Sequence, residues 1–207
     1  TEIATEHLQL KPGTDVWLLN ALAHVIIAEN LVDPSFIAEH TTGFEELKNQ
    51  VKTYTPEEAE KVTGVPADAI RRTARQYATT PKAGIYYTLG ITEHTHGSDN
   101  VCALANLVLM TGHLGVRSAG LNPLRGQNNV QGANDSGASP LYYPGYQRVT
   151  DPKAQEKFET AWGTSLSPNN GLNLNEMMKV LVGGGLKGLF IMGEDIVLTE
   201  PNVSKVE

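Results

Sequence analysis

One short stretch of the chain combines the residue types that could bind an anion. It reads GLNPLRGQNNVQG, covers Gly120–Gly132, and has Arg125 as its one charged residue. Glycines let a backbone come close to a ligand, and polar residues without helix or strand periodicity leave N–H groups free to donate. Over residues 101–150 three arginines are set against a single acid, Asp135. We therefore interpret the stretch as an anion-binding loop with Arg125 as its candidate ligand.

Arg125 has a plainer interpretation, and a second stretch of the chain could be considered as a metal site. An arginine in a glycine- and asparagine-rich loop often ties backbone carbonyls together instead of binding a ligand. The run Glu93-His94-Thr95-His96 could hold a metal ion, but it has no third ligand nearby in the sequence. We expect that run to be a solvated loop or part of a cofactor-binding surface, and we assign no residue to a metal.

Composition limits the class of partner. The 207 residues carry 16 basic and 23 acidic side chains, a net charge of −7 with a pI near 5.4, which argues against a general nucleic-acid or anionic-membrane surface. No apolar run is long enough for a membrane span, so no membrane insertion is expected. Cys102 is the only cysteine, which excludes a disulfide framework and a cysteine-rich cluster within these residues.

Helical patterns fill the first third of the chain. Apolar residues recur at helical spacing over 15–30, and Asp33-Pro34 and Gly43-Phe44 begin further short helices. The capping sequence Thr55-Pro56-Glu57-Glu58 predicts a helix over 56–63, and Pro66 opens another over 67–77.

An α/β pattern follows. Residues 83–89 are predicted as a buried strand, 90–100 as a polar loop, and 101–110 as a helix buried on most sides. No period is sustained over 112–146, a length of irregular chain that usually has a function.

Beyond this region, helices are predicted over 152–162 and 173–181, and a second buried strand over 187–192 is followed by the loop Gly193-Glu194-Asp195. The fold class is therefore α/β, with parts of two Rossmann-like βαβ layers and a helical N-terminal third. In open parallel sheets ligands lie beyond the carboxyl ends of strands, which places the two post-strand loops at a candidate binding face.

These residues resemble a known family. The segment LNPLRGQNNVQGA, with YPGYQ over Tyr143–Gln147, is similar to the catalytic (alpha) subunit of molybdenum- or tungsten-dependent formate dehydrogenases, which carry bis-molybdopterin guanine dinucleotide (bis-MGD). Four further segments agree in order and spacing: Pro12–Asp33, Tyr54–Val65, Leu107–Gly115 and Leu189–Asp195. The resemblance covers essentially the whole chain as an internal piece of a much longer subunit.

The resemblance implies a role for each site residue. Arg125 matches the arginine that holds the formate carboxylate beside the metal, and Gln127 matches a position close to the pterin. Three residues match the family's loop after the strand, which approaches the cofactor: Leu89, Gly90 and Glu93. Three others match its loop near a guanine dinucleotide: Gly193, Glu194 and Asp195. The implied domains are 1–125, the C-terminal part of one Rossmann-like cofactor domain, and 126–207, the start of a second cofactor-binding segment.

The resemblance also implies what must lie elsewhere. The family's metal ligand is a cysteine or selenocysteine followed by histidine, and its 4Fe-4S cluster uses four cysteines, all upstream of this region. Cys102 is followed by Ala103, so it is not that ligand. We expect the parent protein to oxidise formate to carbon dioxide, or to catalyse the reverse, with electrons leaving through the cluster to electron-transfer subunits, and this chain alone to be inactive.

Two alternatives remain open. The chain could be a piece of another molybdopterin oxidoreductase, such as a nitrate reductase, or a stand-alone module that binds a nucleotide or anion. A cytoplasmic location is expected, with the periplasm as the alternative.

Overall fold

The computed structural model describes residues 3–199 and 204. The chain divides into two units, Thr1–Gly126 and Gln127–Glu207. The assignment of these regions to two cofactor domains stays a prediction. None of the described helices is both long and apolar enough to cross a membrane.

The first unit contains helices and two short strands. Its helices are α1 (Asp15–Ala28), α2 (Pro34–His40), α3 (Phe44–Gln50), α4 (Pro56–Thr63), α5 (Ala67–Thr79), α6 (Leu89–Thr92) and α7 (Gly97–Met110), with a 3₁₀ turn at Val51–Thr53. Its strands are β1 (Gly84–Tyr87) and β2 (Gly120–Pro123). The predicted helical N-terminal third is confirmed.

Side-chain caps explain where the short helices begin. The Asp33 carboxylate accepts a hydrogen bond from the Phe36 amide at 2.9 Å, and this bond is the main reason that the pKa of Asp33 is lowered. The Thr55 hydroxyl accepts from the Glu58 amide at 3.3 Å, and α4 has the predicted bounds 56–63. Each cap satisfies one of the amides that a helix leaves unpaired at its N-terminus.

Helix α1 forms the centre of the first unit. It packs against α4, α5 and α7, and its Ile26 side chain is fully buried. Helix α7 contributes Leu104, Leu107 and Met110 to the same core. Each buried aliphatic side chain stabilises the fold by about 1.5–3 kcal/mol relative to exposure.

Two details of α7 correct the sequence predictions. The helix begins at Gly97, inside the predicted loop 90–100, and the same loop also contains α6. Cys102 lies on an exposed face of α7 and not in a helix that is buried all round. The apolar run predicted burial on most sides, but Ser98, Asp99 and Cys102 share a helix face that no described element covers.

The parallel pair β1–β2 was only half predicted. Gly84 pairs with Gly120 and Tyr87 with Pro123, so α7 is the crossover helix of a βαβ unit. We expected a strand at 83–89 but treated Gly120–Pro123 as irregular chain. Asparagine and proline are poor strand formers, and this strand forms because β1 lies beside it.

The second unit has a small aromatic core. Its elements are α8 (Val130–Asp135), the antiparallel strands β3 (Tyr142–Tyr143) and β4 (Gln147–Arg148), α9 (Pro152–Trp162), α10 (Leu174–Val182) and α11 (Ile196–Thr199). The Tyr143 and Phe158 rings lie 4.8 Å apart, centroid to centroid, and Trp162 stacks on Phe158 at 4.9 Å. Asn173 and Glu176 form a complete capping box at the start of α10.

Residues 187–192 form no strand, contrary to the prediction. Phe190 is 91% exposed and Met192 is 83% exposed. A strand needs a neighbour to satisfy its ladder hydrogen bonds, and in the described part of the second unit no strand lies beside this segment. The prediction of burial is wrong for the same reason.

Three arginines of α5 connect the helical layer. Arg72 binds the Glu6 carboxylate with Nε–Oε1 at 2.7 Å, Arg75 binds Glu29 with Nε–Oε2 at 2.7 Å, and Arg71 binds Glu57. Hydrogen bonds from these arginines are the largest reason that the pKa values of Glu6, Glu29 and Glu57 are lowered.

A glycine substitution tests the packing between α2 and the end of α7. Gly112 has a φ of +67°, and a Cβ there would lie 2.5 Å from Oδ2 of Asp33, whose other carboxylate oxygen, Oδ1, caps α2. Gly115 has a φ of +78° and open space around it. We expect Gly115→Ala to cost about 1–2 kcal/mol of unfolding free energy, and Gly112→Ala at least about 1 kcal/mol more. Urea unfolding of the chain measures both, and equal losses would contradict the account.

The α5 ion pairs predict a loss of stability in acid. Because the folded-state pKa values of the three glutamates are lowered, their contribution is complete above the unfolded value of about 4.3 and is lost as pH falls through the folded values. We expect the urea midpoint to fall below about pH 4.5. Arg75→Gln should weaken this pH dependence, whereas Arg117→Gln should not, since Arg117 has no acidic partner among the described residues. Identical pH profiles for the two variants would contradict this role.

Candidate functional site

The carboxyl ends of β1 and β2 bring two candidate loops of the first unit together. The Leu124 amide, just past β2, donates to the Tyr87 carbonyl at the end of β1, with 2.8 Å between nitrogen and oxygen. The chain therefore leaves both strands at the same edge of the sheet. This edge is where ligands bind in open parallel sheets.

Arg125 lies at this edge of the sheet. It follows β2 by two residues and is exposed. Within residues 3–199 and 204, its guanidinium makes no hydrogen bond or ion pair. The alternative interpretation, a tether to backbone carbonyls, therefore has no support in the described contacts. An unpaired guanidinium presents a planar fork of donors suited to a carboxylate.

Arg117 lies at the opposite end of the same strand. It precedes β2, is exposed, and also makes no ion pair with a described residue. The two arginines thus share residue type and exposure but flank β2 on its amino and carboxyl sides. Arg117 is therefore a matched control for Arg125.

The residues of the stretch Gly120–Gly132 from Gln127 onward belong to the second unit. Gln127 is exposed, and α8 begins after Asn129. Gln131 Nε2 donates to Asp135 Oδ1 at 3.0 Å and to the Tyr146 hydroxyl at 2.9 Å. Asp135, the one acidic residue of 101–150, thus has a hydrogen-bond partner, Gln131, on its own helix.

The turn after β1 contains three of the predicted cofactor contacts. It forms α6, with Leu89 55% exposed and both Gly90 and Glu93 exposed. The sheet therefore places this turn at the same edge as Arg125. Whether these side chains touch a cofactor stays a prediction.

A cleft of about 320 Å³ lies beside this turn, within the first unit. Its lining includes Asp15 and Trp17 from the first turn of α1 and His94, His96 and Asp99 around the start of α7. His94 Nε2 is 2.8 Å from the Gly90 carbonyl and 3.9 Å from Asp15 Oδ2, and His96 Nδ1 is 3.5 Å from Asp99 Oδ2. Sequence reasoning missed Asp15 and Trp17, since only the tertiary fold brings α1 to α7.

The two histidines do not form a metal site with other described residues. Among the residues that the structure describes, no three His, Cys, Asp or Glu side chains lie close enough together to hold a metal ion. The interpretation of Glu93 to His96 as a metal site therefore has no geometric support.

Gly193, Glu194 and Asp195 directly precede α11. The Asp195 carbonyl accepts from the Leu198 and Thr199 amides at 3.1 and 3.0 Å, and Glu194 Oε1 accepts from the Thr199 hydroxyl at 3.0 Å. These contacts are those of helix capping. A role near a guanine dinucleotide stays a prediction for all three residues.

Comparison with known proteins identifies the family. The molybdopterin oxidoreductase family model matches residues 1–207, so the chain belongs to the molybdopterin oxidoreductase family. Membership implies a molybdopterin cofactor that carries molybdenum or tungsten. The Arg125 guanidinium fits such an anionic group, because it is exposed, carries a positive charge and has no carboxylate among its described contacts.

Several relatives are formate dehydrogenases. The chain is 49% identical over 201 residues to a formate dehydrogenase alpha subunit of Methanocaldococcus jannaschii, covering 97% of this chain and 29% of that protein. It is 47% identical over 205 residues to formate dehydrogenase H of Escherichia coli, covering 99% of this chain and 29% of that protein. The chain thus spans less than a third of the length of these relatives.

A solved structure supports the fold. Acetylene hydratase from Pelobacter acetylenicus matches with a TM-score of 0.55 and 31% sequence identity, covering 56% of this chain and 16% of that one. The mixed α/β class predicted from the sequence is confirmed. The resemblance of the sequence to molybdopterin-dependent enzymes is confirmed as well.

Proposed function

We propose that the chain is an internal piece of a formate dehydrogenase catalytic subunit, which oxidises formate to carbon dioxide at a molybdenum or tungsten bis-MGD centre. The names of its relatives support the reaction, and their length supports a longer parent protein. The observation that carries the proposal is Arg125, exposed and without a described partner at the carboxyl edge of the parallel strands.

Arg125 orients the substrate. Formate is a planar monoanion, and the guanidinium fork donates to both of its oxygens while keeping its own charge at any physiological pH. With both oxygens held, the C–H bond points away from the arginine. Holding a reacting group in one orientation lowers the barrier before any chemistry occurs.

The charge of Arg125 also favours turnover. Oxidation breaks the C–H bond of HCOO⁻ and yields CO₂, one proton and two electrons. A molybdenum or tungsten centre bound at this site would supply the two-electron redox chemistry. Because CO₂ is neutral, its attraction to the guanidinium is far weaker than that of formate, so the product leaves readily.

The other predicted residues have the cofactor-binding roles that the family resemblance implies. Gln127 lies near the pterin, Leu89, Gly90 and Glu93 face the cofactor from the turn after β1, and Gly193, Glu194 and Asp195 lie near a guanine dinucleotide. A 4Fe-4S cluster in the upstream part of the subunit carries electrons to partner subunits in the cytoplasm. Support for these assignments comes from the family resemblance and from the exposure of all seven residues.

Exchange of Arg125 for lysine tests the carboxylate contact in the intact subunit. Lysine keeps the charge but loses the bidentate fork, and a hydrogen bond to a charged group contributes about 1.5–3 kcal/mol. We expect Arg125→Lys to lower kcat/KM for formate about 10- to 100-fold, with molybdenum or tungsten content unchanged. Steady-state kinetics and metal analysis measure both.

Arg117→Lys is the control for this experiment. It makes the same exchange at the other end of β2, and we expect wild-type kinetics. Equal effects of the two substitutions would remove Arg125 from the proposed site. Assays of the unmodified subunit on formate and on nitrate separate the proposal from a nitrate reductase.

The 207-residue chain alone should be inactive. It contains one cysteine, and that residue is followed by alanine, whereas the proposed enzyme needs four cluster cysteines and a cysteine or selenocysteine metal ligand. Purified chain should oxidise no formate and bind no stoichiometric molybdenum. Turnover, or tight binding of GDP by calorimetry without the rest of the protein, would favour a stand-alone module.

A further inference from the structure

We propose that His94 and Asn100 are positioning residues for the turn Leu89–Glu93. Their side chains hydrogen-bond the main-chain carbonyls of Gly90 and Ile91 and so determine how the turn leaves β1. The inference rests on the proposed function, which places this turn against the cofactor. It adds two residues that act through the turn and need not touch the cofactor.

The carbonyl groups of α6 show why the turn needs external support. A single helical turn makes too few internal hydrogen bonds to be stable on its own. The Leu89 carbonyl accepts from the Glu93 amide at 2.9 Å, within the turn. The next two carbonyls accept from side chains outside it: Gly90 from His94 Nε2 at 2.8 Å and Ile91 from Asn100 Nδ2 at 2.9 Å.

Asn100 anchors the turn to the core. Its side chain is 3% exposed and lies in the first turn of α7, the crossover helix between β1 and β2. Helix α7 is held by Leu104 and Leu107, both buried against α1. A buried side-chain amide without a partner is unfavourable, so the bond from Asn100 to the Ile91 carbonyl is strongly favoured.

Gly97 allows this close approach. A Cβ at residue 97 would overlap the Thr92 carbonyl oxygen, so only glycine lets the turn lie directly on the start of α7. The Gly97 amide donates to the His94 carbonyl at 3.0 Å. Main-chain hydrogen bonds therefore hold the backbone on both sides of His94, independently of the bond that its side chain makes to Gly90.

His94 connects the turn to α1. Because a carbonyl oxygen only accepts, Nε2 carries the hydrogen that is donated to Gly90. The same nitrogen is 3.9 Å from Asp15 Oδ2, and these side chains are 30% and 14% exposed. The ring thus lies between the turn and the first turn of α1, oriented by its hydrogen bond to the Gly90 carbonyl.

Amide hydrogen exchange in the intact subunit tests the proposal. The amides of Ile91, Thr92 and Glu93 report the turn, since they donate to Thr88 and Leu89 carbonyls at 3.0, 3.4 and 2.9 Å. We expect His94→Leu and Asn100→Ala to raise their exchange rates at least about tenfold, while amides of α5 are unchanged. His94→Gln keeps a side-chain N–H donor and should restore slow exchange.

Kinetics give a second readout. His94→Leu should lower kcat/KM for formate about tenfold, and His94→Gln should return it to within about twofold of wild type. Unchanged exchange in both His94→Leu and Asn100→Ala would overturn the proposal. Accelerated exchange in a protein whose wild type does not oxidise formate would uphold the positioning role and reject the proposed function.

Discussion

The parallel pairing of β1 with β2 determines where the candidate residues of the first unit lie. Four residue pairs join the strands, and a further bond, from the Leu124 amide to the Tyr87 carbonyl, extends the contact to the point where both strands end. Because the strands are parallel, the turn at Leu89 and the loop at Arg125 leave from one edge, although 35 residues lie between them in the chain. Helix α7 makes this possible by crossing between the strands and burying one face against α1. An antiparallel pairing would place the two loops at opposite ends of the sheet.

The arginines of the first unit divide into two groups with different physical roles. Those of α5 bind glutamates from the N-terminal segment, α1 and α4, and so contribute to the packing of the helical layer. Arg125 has no such partner among the described residues, and the only acid in residues 101–150 is bonded to Gln131. An exposed arginine with no protein carboxylate nearby keeps its full hydrogen-bonding capacity for an anion. Arg117 also has no described ion pair, but it lies before β2, so the position of Arg125 after β2, at the carboxyl edge, is what makes it the candidate ligand.

The sequence predicts well what depends on neighbouring residues. The caps at Asp33, Thr55 and Asn173 begin helices where expected, because each satisfies amides within three residues. Strand β2 was missed because Asn122 and Pro123 carry no strand signal, and the strand at 187–192 was predicted from apolar residues that have no ladder partner here. The contacts of His94 and Asn100 were also beyond sequence reasoning, since they depend on how a turn rests on a helix. The proposed role of Arg125 rests on the family resemblance of its motif, and the structure adds its position at the edge of the sheet.

The most direct test of the account is a crystal structure of the intact subunit with formate bound. Two nitrogens of the Arg125 guanidinium should each lie about 2.7–2.9 Å from one formate oxygen, at the edge formed by the ends of β1 and β2. The turn Leu89–Glu93 should face the cofactor in the same structure. Formate bound away from Arg125, or Arg125 paired with a protein carboxylate while formate occupies the metal site, would contradict the central claim.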